Sequence, residues 1–147
     1  MLGEYSFKLP IKARFRDSDM LGHINNAVYL TYFESGRVEY WTALTGNSSL
    51  EDLPFILART EIDFLAEARA GEDFTLGVRA VRFGNKSFDL EYLLVRDVDG
   101  HASAVGGDWM GDLPTNGEAH LAGSGWLGAC RTPAGPGATG RTPGGHV

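Results

Sequence analysis

Residues Arg14 to Arg37 read R-F-R-D-S-D-M-L-G-H-I-N-N-A-V-Y-L-T-Y-F-E-S-G-R, and this stretch carries the strongest structural signal of the chain. A short glycine-containing loop with Asp19 and His23 leads directly into a helical pattern that begins near Asn25 or Asn26. The first N–H groups of a helix have no intrahelical acceptor and carry partial positive charge, so they can polarise a carbonyl oxygen beside a carboxylate. The pattern therefore favours hydrolysis of a carbonyl compound.

The helical pattern extends from Ala27 to Leu44 and has an unusually broad apolar surface. Either Asn25 or Asn26 can cap its start, and Gly46 suits the left-handed position after its end. A helix with apolar side chains around so much of its circumference cannot bury them against a flat contact on one side. We therefore expect a sheet that wraps around this helix.

Strands are predicted before and after the helix in the sequence. Phe7 to Phe15 alternates apolar and mostly basic residues, which is typical of a half-buried strand. Pro10 lacks an N–H and favours an edge or terminal position in the sheet, or a break near the start of the strand. Further strands are predicted over Leu53 to Leu65, Phe74 to Phe83 and Ser87 to Val95, with a Gly-Asn-Lys hairpin turn between the last two.

The end of the chain departs from this pattern. A fifth strand should begin near His101, but Ala102 to Gly107 offers mainly small side chains, which predicts a degenerate or missing last strand. Residues 107–147 hold more than half of the 20 glycines and most of the 6 prolines. We therefore expect a domain over residues 1–106 and a disordered tail over 107–147. A shift of reading frame near Gly106 is a second explanation, because GC-rich codons read out of frame yield such a composition.

The first stretch resembles the acyl-CoA thioesterase branch of the hotdog-fold superfamily, which includes the 4-hydroxybenzoyl-CoA thioesterases. The resemblance is carried by Asp17-x-Asp19-x-x-Gly22-His23-x-Asn25-Asn26-x-x-Tyr29, followed by Tyr32-Phe33-Glu34 and Arg37. It implies an α+β hotdog fold, in which an antiparallel sheet wraps around one long central helix. It also implies an acyl-CoA substrate, hydrolysis without a metal or redox cofactor, and a homodimer or homotetramer with sites between subunits.

The resemblance also implies roles for particular residues. Asp19 takes the position of the catalytic acid, as nucleophile or general base, although an Asp at this place could simply cap the loop. His23 would orient water or contact Asp19, unless it is a loop histidine held by the backbone. The backbone N–H of Asn26 would contact the thioester oxygen. From residue type and position alone, Tyr29 would line an apolar pocket or belong to the core, and Lys86, at the hairpin, would meet coenzyme A phosphates or simply be solvated.

Two other carboxylates have simpler interpretations. Asp17 suits a turn or a partner for Arg14 or Arg16. Glu34 resembles the helical catalytic acid of another thioesterase class of this fold, but it lies three residues before Arg37, which predicts an intrahelical ion pair instead. The loop begins like a calcium site, but later ligand positions hold apolar residues, and no fourth ligand completes a transition-metal site. We expect no metal.

Composition sets the remaining expectations. A net charge of -6 and a pI near 5.1 argue against nucleic-acid and anionic-membrane partners. The sequence has neither a signal-peptide pattern nor a long apolar run, which predicts a soluble cytoplasmic protein. Cys130 is the single cysteine and has no context for nucleophilic chemistry. Two alternatives to a thioesterase stay open, namely a protein that binds acyl-CoA without turnover and an inactive product that has lost the fifth strand.

Overall fold

A computed structural model describes residues 1–46, 55–83 and 87–112 of the 147-residue chain. Short 3-10 turns occupy Leu2–Glu4 and Phe15–Asp17, and the main elements are β1 (Phe7–Lys12), α1 (Asn26–Thr45), β2 (Phe55–Phe64), β3 (Asp73–Phe83), β4 (Ser87–Arg96) and β5 (Ala102–Asp112). The helix and the first four strands predicted from the sequence are confirmed, with ends shifted by a few residues. The predicted hairpin turn at 84–86 and the tail beyond 112 lie outside the described residues.

All five strands form one antiparallel sheet in the order β1-β3-β4-β5-β2. β1 pairs with β3 through the register Pro10↔Thr75 and lies at one edge, so the edge position predicted for Pro10 is confirmed. Helix α1 packs against one face of this sheet. The arrangement is the α+β hotdog fold that the sequence predicts.

The ends of α1 follow from two residues. Asn25 is the N-cap, and its side-chain oxygen accepts the Ala27 N–H at 3.0 Å. Gly46 adopts φ 74°, and its N–H reaches the Thr42 carbonyl at 2.8 Å. Both predicted caps are confirmed. No helix in the described ranges is long and apolar enough to span a membrane.

The core lies between α1 and the inner face of the sheet. Phe33 stacks on Tyr92 of β4 with ring centroids 4.4 Å apart and planes within 6°. Gly36 lets the helix approach β3 closely, because a Cβ there would lie 2.5 Å from a methyl carbon of Leu76. Aromatic stacking and one small helix residue therefore set the distance between helix and sheet.

The expectation of a degenerate or missing last strand is wrong. β5 runs for 11 residues and pairs with β4 on one side and β2 on the other. Its small residues make room for the helix: a Cβ at Gly106 would overlap the Phe33 ring and would lie 2.6 Å from the Glu61 carbonyl oxygen. The alternative of an inactive protein depended on the loss of this fifth strand, so the presence of β5 removes the basis for it. The division of the chain after residue 106 stays a prediction, although β5 itself continues to Asp112.

Candidate functional site

Asp17 anchors the loop that precedes α1. Its Oδ2 accepts the Arg14 N–H at 2.9 Å and the Tyr32 hydroxyl at 2.9 Å, and its backbone carbonyl accepts the Asn25 N–H at 3.0 Å. Burial alone would raise the pKa of Asp17, but the hydrogen bonds that its carboxylate accepts from Arg14 and Tyr32, together with the Arg14 charge, lower it below the usual value. The prediction of a turn residue partnered by Arg14 is confirmed.

We predict a pH dependence from Asp17. A lowered pKa contributes stability that is fully present above the unfolded-state value of about 3.9 and is lost as pH falls through the folded-state value. Asp17→Asn should therefore be less stable than the parent chain at pH 7, with a smaller difference near pH 3. Urea denaturation at both pH values measures this, and an equal difference at the two would contradict it.

Asp19 occupies a tight turn between Ser18 and Ile24, which form an isolated antiparallel bridge. Its Oδ1 accepts the N–H groups of Leu21 at 2.8 Å and His23 at 3.2 Å. Its Oδ2 has no hydrogen-bond donor in the described part of the chain, and the side chain is exposed in the single subunit. Asp19 thus caps its turn with one oxygen and presents the other.

The start of α1 leaves one backbone donor open. Asn25 satisfies the Ala27 N–H with its side chain and the Val28 N–H with its carbonyl, at 3.0 and 2.9 Å. The Asn26 N–H makes no hydrogen bond within the ranges that the structure describes. The hydrogen bond from Asn25 to the Asp17 carbonyl ties this helix start to the loop that carries Asp19. A free donor at a helix N-terminus is therefore connected to a carboxylate loop.

The His23 imidazole faces a residue that the sequence did not reveal. Its Nε2 lies 3.3 Å from Glu67 Oε2, and the same oxygen lies 3.4 Å from Arg69 Nη2. His23 and Arg69 also form a backbone bridge, which brings the segment after β2 beside the Asp19 turn. In the described hydrogen bonds Asp19 contacts the main chain of His23 and not its imidazole. Glu67 belongs to no local motif, so only the long-range pairing identifies it.

The remaining predicted site residues lie elsewhere. Tyr29 is buried, and its ring meets Phe64 edge-on at 5.0 Å and Tyr32 at 6.2 Å. Burial raises the pKa of the Tyr29 phenol, so this group stays neutral. In the single subunit Tyr29 is part of the core, and its role toward substrate stays a prediction. Lys86 lies outside the described residues.

The predicted Glu34–Arg37 ion pair is wrong. Arg37 instead places Nη1 2.6 Å from Asp108 Oδ2 on β5, and the Tyr92 hydroxyl donates to the same oxygen at 2.6 Å. Asp108 is 1% exposed, so the interaction is a buried link between α1 and the sheet. A buried carboxylate needs its partners, and the Asp108 carboxylate competes for Arg37 better than the exposed Glu34 can.

Two groups in this loop can therefore act on a substrate: Asp19 Oδ2, which can attack or take a proton, and the Asn26 N–H, which can donate to a carbonyl oxygen. Within residues 1–46, 55–83 and 87–112 no group of three or more His, Cys, Asp or Glu side chains could hold a metal ion. The chemistry that this arrangement suits is attack on a polarised carbonyl.

The chain resembles proteins of one family in sequence and in structure. Residues 13–112 match the family model of the thioesterase-like superfamily. YsmA, an uncharacterized protein of Bacillus subtilis, is 30% identical over 89 residues, which cover 60% of each chain. Protein THEM6 of Danio rerio is 33% identical over 91 residues, which cover 60% of this chain and 45% of that protein. The chain thus spans less than two thirds of the length of each of these curated relatives.

A solved structure covers more of the chain. A thioesterase of Thermus thermophilus, crystallised with coenzyme A and Zn, superposes with a TM-score of 0.76. It is 32% identical, and the superposition covers 88% of this chain and 95% of that one.

Proposed function

This chain belongs to the thioesterase-like superfamily, and from that premise we propose that it hydrolyses acyl-CoA thioesters to a free acid and coenzyme A. One observation carries the proposal: Asp19 Oδ2 and the Asn26 N–H, neither of which has a hydrogen-bond partner among the described residues, belong to a single loop and helix start that Asp17 holds together. A carbonyl between these two groups would be polarised on its oxygen and attacked at its carbon.

The proposed reaction proceeds through a tetrahedral intermediate. Asp19 takes a proton from water as the water oxygen bonds to the thioester carbon, and the carbonyl oxygen becomes an oxyanion that accepts the Asn26 N–H. The oxyanion then re-forms the carbonyl as the C–S bond breaks, and the departing thiolate takes up the proton that Asp19 had accepted, which restores the carboxylate. One such main-chain donor is worth about 3 kcal/mol of transition-state stabilisation.

Direct attack by Asp19 is the second form of the mechanism. The carboxylate oxygen then bonds to the carbonyl carbon, the thiolate leaves, and water hydrolyses the resulting mixed anhydride. If water attacks the anhydride at the Asp19 carbon, a single turnover in H₂¹⁸O places the label in Asp19 and leaves the acid unlabelled. In the general-base form the label enters the acid, so label found in Asp19 identifies direct attack.

His23 supports the reaction by a fixed position beside this turn. The imidazole Nε2 of His23 lies 3.3 Å from Glu67 Oε2, and the backbone N–H of His23 donates to Asp19 Oδ1. Such an imidazole can orient a water molecule or deliver a proton to the leaving sulfur.

We further infer that two subunits pair to complete the site. β2 pairs with β5 on one side, and its other side is an open edge in the described sheet. Ile56, Leu57, Phe64 and Leu65 are exposed along or directly after this strand. Exposed apolar groups on an open strand edge favour association, and a second subunit would cover the exposed Asp19 turn.

Release of free thiol from a panel of acyl-CoAs tests the proposed function. The panel should include short, long and aromatic acyl groups, because the apolar residues near the site do not define the acyl chain. Thiol release above the rate without protein is expected for at least one member. Binding of acyl-CoA without thiol release across the panel would instead support a carrier or sensor.

A further inference from the structure

Arg16 differs from every other arginine in the described ranges, because no carboxylate lies within ion-pair distance of it. The others pair with acidic partners: Arg14 with Asp17, Arg37 with Asp108, Arg59 with Glu61, Arg69 with Glu67, Arg79 with Glu91, Arg82 with Asp89, and Arg96 with Glu72 and Asp99. Among the described lysines, Lys12 pairs with Asp73 and Lys8 has no such partner. In a chain of net charge -6, an arginine without a carboxylate partner is available to an external anion.

The backbone under Arg16 is firmly held. Arg16 is the middle residue of the 3-10 turn Phe15–Asp17, and the Phe15 carbonyl accepts both the Ser18 N–H at 3.1 Å and the Ser18 hydroxyl at 2.6 Å. Asp17 closes the turn from the buried side through the Arg14 N–H. Arg16 itself is exposed. Its guanidinium therefore projects into solvent from a backbone that is already ordered, which lowers the entropic cost of binding.

Arg16 also lies three residues before Asp19, on the same loop. Three peptide steps span at most about 11 Å. A ligand that contacts both residues therefore carries its anionic group close to the reacting carbonyl or on a linker that extends from that carbonyl. Phe15, directly before Arg16, and Met20, directly after Asp19, are exposed apolar residues of the same loop.

The outer face of the sheet offers a worse place for an anion. A depression of about 410 Å³ there is lined by residues that include Glu61, Asp63, Arg79, Glu91 and Trp109. Arg79 already binds Glu91 at 2.7 Å, and the surrounding carboxylates repel an anion. An incoming phosphate would have to displace these partners.

We propose that Arg16 binds a phosphate of the pantetheine-bearing portion of the thioester substrate. The inference rests on the proposed function and assigns Arg16 as a binding residue for the end of the substrate opposite the acyl group. A guanidinium binds phosphate oxygens through paired N–H groups, which fixes direction as well as charge. The phosphate can belong to coenzyme A or to the phosphopantetheine arm of an acyl-carrier protein, since both carry one next to pantetheine.

A series of thioesters with the same acyl group tests the proposal: acyl-pantetheine, acyl-4′-phosphopantetheine, acyl-dephospho-CoA, acyl-CoA and acyl-carrier protein. For Arg16→Gln we expect an unchanged kcat and a KM raised about 10-fold, beginning at acyl-4′-phosphopantetheine, the first member with a phosphate next to pantetheine. Acyl-pantetheine should show no change in KM. The rise should then appear with both acyl-CoA and acyl-carrier protein, and the parent chain's kcat/KM for these two substrates shows which of them supplies the phosphate.

Lys8→Gln is the matched control, because Lys8 is also a cation without a carboxylate partner in the described ranges and lies on β1, away from the loop. It should leave KM unchanged across the series. An Arg16→Gln effect equal for all members, acyl-pantetheine included, or no effect on any member would overturn the proposal.

The failure of the proposed function is a separate outcome. If the parent chain releases no thiol from any member, equilibrium binding of coenzyme A and of pantetheine still tests Arg16. Weaker binding of coenzyme A by Arg16→Gln, with no change for pantetheine, would support the phosphate contact without catalysis. Equal binding of coenzyme A by the parent chain and by Arg16→Gln would contradict the phosphate contact.

Discussion

Replacing Asp19 with Asn is expected to lower kcat/KM for thioester hydrolysis by about 10²–10⁴-fold, the usual contribution of a positioned acid–base group. The amide oxygen of Asn can still accept the N–H groups of Leu21 and His23, so the turn should keep its shape. The substitution removes the negative charge and the basicity of Oδ2. The loss of rate would therefore report chemistry and not collapse of the loop.

Asp19→Ala provides the comparison. It removes the turn hydrogen bonds as well as the carboxylate, and loss of such a cap costs about 1 kcal/mol of stability. We expect both variants to be equally inactive, but only Asp19→Ala to unfold at lower urea concentration. An Asp19→Asn enzyme with a rate near that of the parent chain would mean that Asp19 is a turn cap only.

Asp108→Ala is expected to cost about 3–5 kcal/mol of folding free energy, because it leaves a buried guanidinium without its counter-charge. Burial by itself would lower the pKa of Arg37, but Tyr92 and Asp108 raise it, so Arg37 stays charged. Burial beside Asp108 raises the pKa of Tyr92, so this hydroxyl stays protonated and also loses its acceptor. Urea denaturation measures the loss.

Two comparisons show whether the loss comes from burial of the charge. Asp73→Ala breaks the exposed Lys12–Asp73 pair, whose atoms lie 3.2 Å apart, and should cost less than about 1 kcal/mol. The double variant Arg37→Met with Asp108→Leu should recover most of the lost stability, since neither charge then remains buried. An Asp108→Ala cost as small as that of Asp73→Ala would contradict a buried ionic link.

Local signals made the helix and most of the sheet predictable. Asn25 and Gly46 each act within a few residues of a helix end, and the alternation in β1 together with Pro10 indicates an edge strand. Each of these signals depends on backbone requirements that neighbouring residues must satisfy. Such requirements can be read from a short window of sequence.

Contacts between distant segments were not predictable in this way. The small residues of β5 indicated a lost strand because the ring of Phe33, which needs the space at Gly106, lies far away in sequence. Arg37 was assigned to the nearest carboxylate, whereas Asp108 is 71 positions away. Glu67 lies beside His23 only because the segment after β2 pairs with the Asp19 turn.

A crystal structure with a non-hydrolysable acyl-CoA analogue tests the central claim most directly. We expect the analogue's carbonyl oxygen within about 3 Å of the Asn26 nitrogen, with Asp19 Oδ2 facing the carbonyl carbon or a water molecule beside it. An analogue bound away from the start of α1, with Asp19 still facing bulk solvent in the assembled protein, would contradict the proposed site.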